Sequence, residues 1–285
     1  MRSVVHQHLS MLLATDLVSF AARRRDRRQS DGSSPITSPA MVTAPMRSDA
    51  VADSTGEQRS VSQALRRVAI AGMFAGAVLY SNWLLEIVLR RTADPDLFIS
   101  ELAALDQPYG AWFRWGDRAT AVVVGVAAAA AITGVRGNRW STMGWSIVGV
   151  FALATGLDST VWNMVCAPHS EPACAANEAS GAVPLGDQLH LLSSATACVA
   201  AIFSMLAFSA ADHIDQAPVR VLRFGWLVSA TLIATAVWMG IAVSVDSADH
   251  SGLVGISQRS FLIATACWLI CVGLHTARAP THTTS

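Results

Sequence analysis

The 285-residue chain contains no lysine, so all twenty of its basic residues are arginine. That bias is typical of a GC-rich genome and indicates a bacterial source, but it carries no mechanism. Charge of either sign is scarce, because charged residues make up 14% of the chain, against about 25% in a usual soluble domain. The formal net charge is zero, which argues against nucleic-acid binding.

Several motifs that would define a soluble enzyme or an ATP-driven pump are also missing. Neither G-x-x-x-x-G-K-[ST] nor G-x-G-x-x-G after a strand occurs, so ATP-driven transport by this chain is not expected. H-E-x-x-H and G-x-S-x-G do not occur either. Internal repeats and mid-span charges are lacking as well, which disfavours secondary transport.

Long apolar segments occupy most of the chain after residue 67. A helix that crosses a bilayer needs about 20 apolar residues at a rise of about 1.5 Å each. Six segments have this character, at residues 68–89, 119–135, 142–162, 189–211, 224–245 and 253–275. We therefore predict an all-α integral membrane protein, with a six-helix bundle over residues 68–276 and a short cytoplasmic tail at 277–285.

Residues 1–67 differ in composition from the rest of the chain. They are rich in Ser, Thr and Pro, contain the run RRRDRR at 23–28, and show no sustained apolar period. This composition predicts a disordered cytoplasmic tail. The alternative is a mis-assigned start, with Met41 or Met46 as the true first residue. The apolar stretch 11–22 is too short to span, and its charges follow it, unlike those of a signal peptide.

The distribution of charge predicts the orientation in the membrane. One side of the six spans holds Arg59, Arg66, Arg67, Arg136, Arg139, Arg220, Arg223 and Arg278. The other side holds Asp94, Asp96, Glu101, Asp106, Asp117, Glu171, Glu178, Asp187, Asp246 and Asp249, with Arg90, Arg91, Arg114, Arg118 and Arg259 as exceptions. We expect a protein of the cytoplasmic (inner) membrane with both termini in the cytoplasm and the loops 90–118 and 163–188 outside.

Two of the five cysteines, Cys166 and Cys174, lie in the second of these outer loops. Because disulfides form on the oxidising side of a bacterial membrane, we predict a bridge between them, which would contribute about 2–3 kcal/mol. Free thiols and metal ligation are the alternatives. Cys198, Cys267 and Cys271 fall inside spans and are expected to be inert, since buried cysteine behaves as a small hydrophobe.

Ionisable and hydroxyl side chains gather at the outer ends of the predicted spans, where a charge is costly and needs a reason. They are Glu86, Ser100, Glu101, Arg114, Asp117, Arg118, Asp158, Asp187, His190, Ser193, Ser194, Asp246 and Arg259. If the helices form a bundle, we expect these groups to converge on one polar pocket that faces outward.

Two catalytic interpretations of this pocket centre on His190. In one, His190 with Asp158, Asp187 or Glu101 binds a divalent metal, usually zinc, which activates water against a lipid ester or amide. In the other, Ser100, Ser193 or Ser194 is the nucleophile, His190 is its base and a carboxylate orients the imidazole. Against the first, only His190 among the outer histidines sits firmly on a span, since His169 and His250 lie in loops.

Two further interpretations involve no reaction. The arginines and acids could bind a lipid head group or a polar solute. Alternatively, the residues are structural: Asp187 caps the fourth helix, Arg259 pairs with an acid such as Asp246 or Asp158, and His190 hydrogen-bonds between helices.

The order of these residues along the chain carries a family resemblance. The elements are Ile99-Ser100-Glu101-Leu102, Arg114 and Asp117, Asp158, the loop with Cys166 and Cys174, His190, and Gly255-Ile256-Ser257-Gln258-Arg259. Together they resemble the bacterial membrane family called domain of unknown function 998, over about residues 68–276. The resemblance implies a six-helix membrane protein with an outward polar cluster at Ser100, Glu101, Asp117, His190 and Arg259. It implies no activity.

We therefore expect a non-catalytic function without a cofactor, in which the outer pocket binds a lipid head group or small ligand, or supports an envelope partner. The expected ligand-binding residues are Ser100, Glu101, Arg114, Asp117, His190 and Arg259. Membrane lipids are the expected partners, and nucleic acid is not. The alternative is an intramembrane lipid hydrolase, with or without zinc, built from His190, Asp158, Asp187, Ser100 and Glu101. It requires His190 within bonding range of at least two of Asp158, Asp187, Glu101 and Asp117.

Overall fold

The structure, a computed structural model, describes residues 48–89, 97–135, 137–246 and 253–278. Within these ranges the ordered elements are helices, and no strand occurs. Six helices are long and apolar enough to cross a membrane. The predicted all-α, six-span architecture is therefore confirmed. The predicted tail residues 1–47, and Arg90, Arg91, Asp94, Asp96, Arg136, Asp249 and His250, lie outside the described residues.

Eight α-helices follow one another in the described ranges. They are α1 (Ser48–Tyr80), α2 (Leu85–Leu89), α3 (Gly110–Gly134), α4 (Arg139–Thr160), α5 (Pro172–Ala179), α6 (Leu185–Ile214), α7 (Val219–Asp246) and α8 (Leu253–Arg278). Two 3-10 turns, Asn82–Leu84 and Ile99–Ala103, lie between α1 and α3. The first span combines α1 and α2, and the remaining spans are α3, α4, α6, α7 and α8.

Two helices begin well before the apolar segments that revealed them. Helix α1 starts at Ser48, so residues 48–67 of the expected tail are helical, and α3 starts at Gly110 rather than at 119. The apolar pattern reports only the part of a helix that lies in hydrocarbon, about 20 residues. Polar turns beyond it are held by other bonds, such as those from Arg66 Nε and Nη2 to the carbonyls of Thr276 (3.0 Å) and Ala277 (2.6 Å).

Small residues bring α1 and α3 into close contact. A Cβ placed on Gly72 would lie 2.7 Å from Ala127 Cβ, and one on Gly76 would lie 2.5 Å from Val124 Cγ2. These positions form the G-x-x-x-G spacing that lets membrane helices approach one another closely. Any larger residue at either glycine would force the two helices apart.

The bundle has two chemically different ends. At the first, which we call the disulfide end, Cys166 and Cys174 form the predicted disulfide, with their Cα atoms 6.0 Å apart. At the opposite end, the Asn138 side chain caps α4 and donates to Asp215 Oδ1 (3.0 Å). Helix α6 runs from the first end to the second, so its two termini mark opposite ends of the bundle.

Candidate functional site

A cavity of about 130 Å³ lies between the helices at the disulfide end and is partly open. An engineered cavity of about 150 Å³ accepts benzene, so this one has room for a head-group fragment but not for an acyl chain. Its polar lining consists of Tyr80, Asn82, Ser100, Asp117, Thr155, Asp158, His190, Ser193, Ser194 and Gln258. The structure thus brings together six of the residues that were expected to converge: Ser100, Asp117, Asp158, His190, Ser193 and Ser194.

Asp158 near the end of α4 holds three side chains of α6. The Asp158 Oδ1 atom lies 2.9 Å from His190 Nδ1, accepts from Ser193 Oγ, and lies 3.4 Å from Ser194 Oγ. Positions 190, 193 and 194 share one helix face, because residues three and four apart are neighbours on a helix. A single carboxylate therefore fixes the imidazole and both hydroxyls at one wall of the cavity.

On the other side of the cavity, Asp117 of α3 is approached by Asn82. The Asn82 amide Nδ2 donates to the carbonyl of Phe113 (3.2 Å) and to Asp117 Oδ1 (3.5 Å). A Cβ on Gly116 would lie 1.7 Å from that nitrogen, so the contact requires glycine at this position. Sequence reasoning missed Asn82, whose only signal is that it is a polar residue inside the predicted span 68–89.

Thr155 contributes a hydroxyl that has no partner among the described residues. It is 6% exposed, and its Oγ1 accepts and donates no hydrogen bond there. Other hydroxyls in these helices bond the carbonyl four residues earlier, as Ser159 Oγ does to Thr155 O at 2.9 Å. Because buried polar groups are nearly always hydrogen-bonded, this hydroxyl at the cavity wall indicates a place for a polar group. Thr155 was not predicted, because its sequence context is that of an ordinary span.

Three of the expected pocket residues are bonded elsewhere. Glu101 is fully buried and accepts from His169 Nδ1 of the disulfide loop at 2.5 Å. Arg259 pairs with an acid, as expected of a structural residue, but that acid is Glu86, at 2.7 Å, and neither of the two named as examples. Asp187 does not cap α6, whose N-cap is Pro184. The Oδ1 atom of Asp187 instead accepts from the Val165 amide at 2.5 Å.

Two further arginines of the disulfide end, among the residues that the structure describes, are also engaged with the protein. Arg114 lines a small adjoining cavity, and its Nη1 donates to the carbonyls of Ala103 (2.6 Å) and Ala104 (3.0 Å). Arg118 Nε donates to the carbonyl of Ser159 (2.8 Å), and its guanidinium lies 5.1 Å from the centre of the Trp115 ring. These bonds satisfy the guanidinium groups of two arginines that lie at the end of the bundle opposite to most others.

The bonding required above of a lipid hydrolase, His190 within range of at least two carboxylates, is not met in the described part of the chain. Of the four carboxylates considered, only Asp158 bonds His190, while Asp187, Glu101 and Asp117 have other partners. No group of three or more His, Cys, Asp and Glu side chains there has an arrangement that could hold a metal ion. Asp158 orients the His190 imidazole, but the Ser193 hydroxyl donates to Asp158 rather than to that imidazole.

The bond between Glu101 and His169 predicts a pH dependence of stability. Burial raises the pKa of the Glu101 carboxyl, although the hydrogen bond from His169 acts to lower it. A pKa that is higher in the folded chain stabilises the fold below the unfolded value, about 4.3, and this contribution is lost as pH rises through the folded value. We expect wild type to lose stability relative to Glu101→Gln as the pH rises above about 4.3, when thermal unfolding of both is measured at a series of pH values. Exposed Glu171→Gln is the control, and curves for Glu101→Gln parallel to wild type would contradict the expectation.

Taken together, six apolar spans and a polar cavity at one end define a multi-pass α-helical membrane protein. The chain belongs to the family described as protein of unknown function (DUF998), whose sequence profile matches residues 59–275. This confirms the resemblance stated above from the order of the motifs. No curated protein and no solved structure matches the chain.

Proposed function

We propose that the protein lies in the cytoplasmic membrane and uses the cavity at its disulfide end to bind a lipid head group or a small polar ligand from the exterior. The observation that carries this proposal is the cavity itself, with the unpartnered Thr155 hydroxyl in its wall. Its polar side chains are fixed by internal hydrogen bonds, so it is largely pre-formed, as ligand pockets usually are.

The orientation in this proposal rests on two independent features. Six arginines at the opposite end, namely Arg66, Arg67, Arg139, Arg220, Arg223 and Arg278, favour the cytoplasm for that end by the positive-inside rule. The Cys166–Cys174 disulfide favours an oxidising compartment for the other. Both features support an exterior position for the cavity and cytoplasmic termini.

Filling the cavity tests whether it binds a ligand. Ser194 lines the cavity, whereas Ala195 of the same helix is exposed on its outer surface. We expect phosphatidylethanolamine, phosphatidylglycerol or free ethanolamine, added to detergent-purified protein, to raise the unfolding temperature of wild type. A ligand at 100 times its Kd stabilises by about 2.7 kcal/mol. The same additions should stabilise Ala195→Leu as in wild type and have little effect on Ser194→Leu.

The matched pair separates the cavity from the lipid-facing surface, because each variant adds one leucine to the same turn of α6. Equal stabilisation of Ser194→Leu and Ala195→Leu would show that the additives act on the outside of the bundle. That result would contradict the proposal.

A further inference from the structure

The walls of the cavity have one sign of charge. Two carboxylates, Asp117 and Asp158, line it, and no arginine does so among the described residues. The nearest guanidinium groups are occupied: that of Arg259 by Glu86, and those of Arg114 and Arg118 by backbone carbonyls. When both aspartates are ionised, the cavity carries net negative charge whether or not His190 is protonated.

The remaining walls are rich in aromatic rings. Tyr80, Trp83, Phe113 and Phe261 line the same cavity as the two aspartates. The face of an aromatic ring attracts a cation that lies within about 6 Å of its centre, and most strongly where water is excluded. Acidic groups combined with aromatic rings are the arrangement that recognises organic ammonium groups. A phosphate would instead meet two carboxylates, and the His190 imidazole, the one side chain of the described lining that could carry positive charge, is already paired with Asp158.

From this combination we infer that the group bound in the cavity is a small organic cation, an ammonium group carried by a lipid head group or by a free amine. The inference rests on the proposed function and names its ligand class. Two carboxylates that share a small site repel one another, and a cation between them removes that repulsion. The Thr155 hydroxyl has no protein partner in the described chain and offers an acceptor for an ammonium N–H.

The size of the cavity agrees with this ligand class. About 130 Å³ accommodates an ethanolamine or trimethylammonium group, whose dimensions do not exceed those of benzene, which fits a cavity of about 150 Å³. The acyl chains of a lipid would remain outside, where the exposed apolar side chains of α6, such as Leu191 and Leu192, face hydrocarbon. A lipid amine and a free amine therefore present the same chemistry to the cavity.

The test uses the purified full-length chain and four probes. These are phosphatidylethanolamine, phosphatidylglycerol with the same acyl chains, ethanolamine hydrochloride, and sodium chloride at matched ionic strength and pH. We expect phosphatidylethanolamine or ethanolamine to raise the unfolding temperature of wild type, and phosphatidylglycerol and sodium chloride to have no comparable effect. Affinity for the amine should fall at least tenfold in Asp117→Asn and in Asp158→Asn.

Asp212→Asn is the matched control variant. Asp212 also pairs with a histidine, His275, at 2.8 Å, but at the opposite end of the bundle. Its affinity for the amine should equal that of wild type. Should either cavity variant fail to fold, wild type alone still decides, because ethanolamine must stabilise it more than the uncharged isostere ethylene glycol does.

The outcomes distinguish a failure of the ligand class from a failure of the proposed binding function. Cavity-dependent binding of phosphatidylethanolamine without ethanolamine supports a lipid source, and comparable binding of ethanolamine supports a free amine. Two results would contradict the inference that the ligand is an organic cation: cavity-dependent binding of phosphatidylglycerol alone, or stabilisation no greater than that by salt or ethylene glycol. Neither result contradicts the proposed binding function. If Ser194→Leu changes the response to none of the probes, both the ligand class and the proposed function fall.

Discussion

Arg259→Leu is expected to lower the free energy of unfolding by about 3–5 kcal/mol, because it leaves the charge of Glu86 buried without a partner. Glu86 is 1% exposed, and its Oε2 receives the Arg259 guanidinium at 2.7 Å. Because the Glu86 side chain is almost fully buried, water is a poor substitute for the lost arginine. Unfolding of detergent-purified protein by heat or by a denaturing detergent would measure the loss.

The double variant Glu86→Leu/Arg259→Leu separates the ion pair from packing. Replacing both members of a buried ion pair by apolar residues is often nearly neutral, so we expect the double variant to recover most of the stability lost by Arg259→Leu. Arg223→Leu, at an exposed position of the opposite end, is the control for loss of an arginine as such. A double variant as unstable as Arg259→Leu would mean that the side chain of Arg259 matters for its shape rather than for its charge.

The six spans could be predicted because the bilayer imposes a length and a polarity that a sequence shows directly. The depth of each residue in the membrane could be predicted in the same way. Ser100, Asp117, Asp158 and His190 were expected to meet because each lies at the outer end of a predicted span or in an outer loop, and all four line the cavity. What depth does not provide is the rotation of each helix about its axis, and the pairing of side chains depends on that rotation.

Arg259 shows this limit. Sequence reasoning offered Asp158 or Asp246 as its partner, on the basis of a shared depth, yet the structure pairs it with Glu86, 173 residues away. Which acid it contacts depends on the neighbours of α8 in the bundle. Four of the long helices in the described chain, α3, α4, α6 and α7, carry an aspartate at this end, and hydropathy does not distinguish among them. The choice emerges only from the packing of the helices.

Adjacent residues of one turn show a second limit. Ser100 and Glu101 were both assigned to the pocket, but only Ser100 lines it, while Glu101 is bonded to His169 of the disulfide loop. The 3-10 turn Ile99–Ala103 directs neighbouring side chains to different sides. A short turn gives no periodic pattern over several residues, so the direction of each side chain could not be predicted from its position.

The orientation of the chain predicts an all-or-none labelling result. A membrane-impermeant maleimide applied to intact cells is expected to label Ala182→Cys and to leave His213→Cys unlabelled until the membrane is permeabilised. Both positions are exposed and lie close to the two termini of α6, whose 30 residues extend about 45 Å at about 1.5 Å per residue. One helix therefore carries a reporter to each side of the membrane. The parent chain, with Cys198, Cys267 and Cys271 in its spans, gives the background.

The physical reason for this outcome is the cost of moving charge. The guanidinium groups of Arg220 and Arg223, in the first turns of the next helix α7, would have to cross the hydrocarbon core to reverse the orientation. Labelling of His213→Cys from outside, with Ala182→Cys protected, would turn the cavity towards the cytoplasm. It would also place the Cys166–Cys174 bridge in a compartment where thiols are kept reduced. An exterior amine or lipid head group could then no longer be the ligand, even with every side chain of the cavity in place.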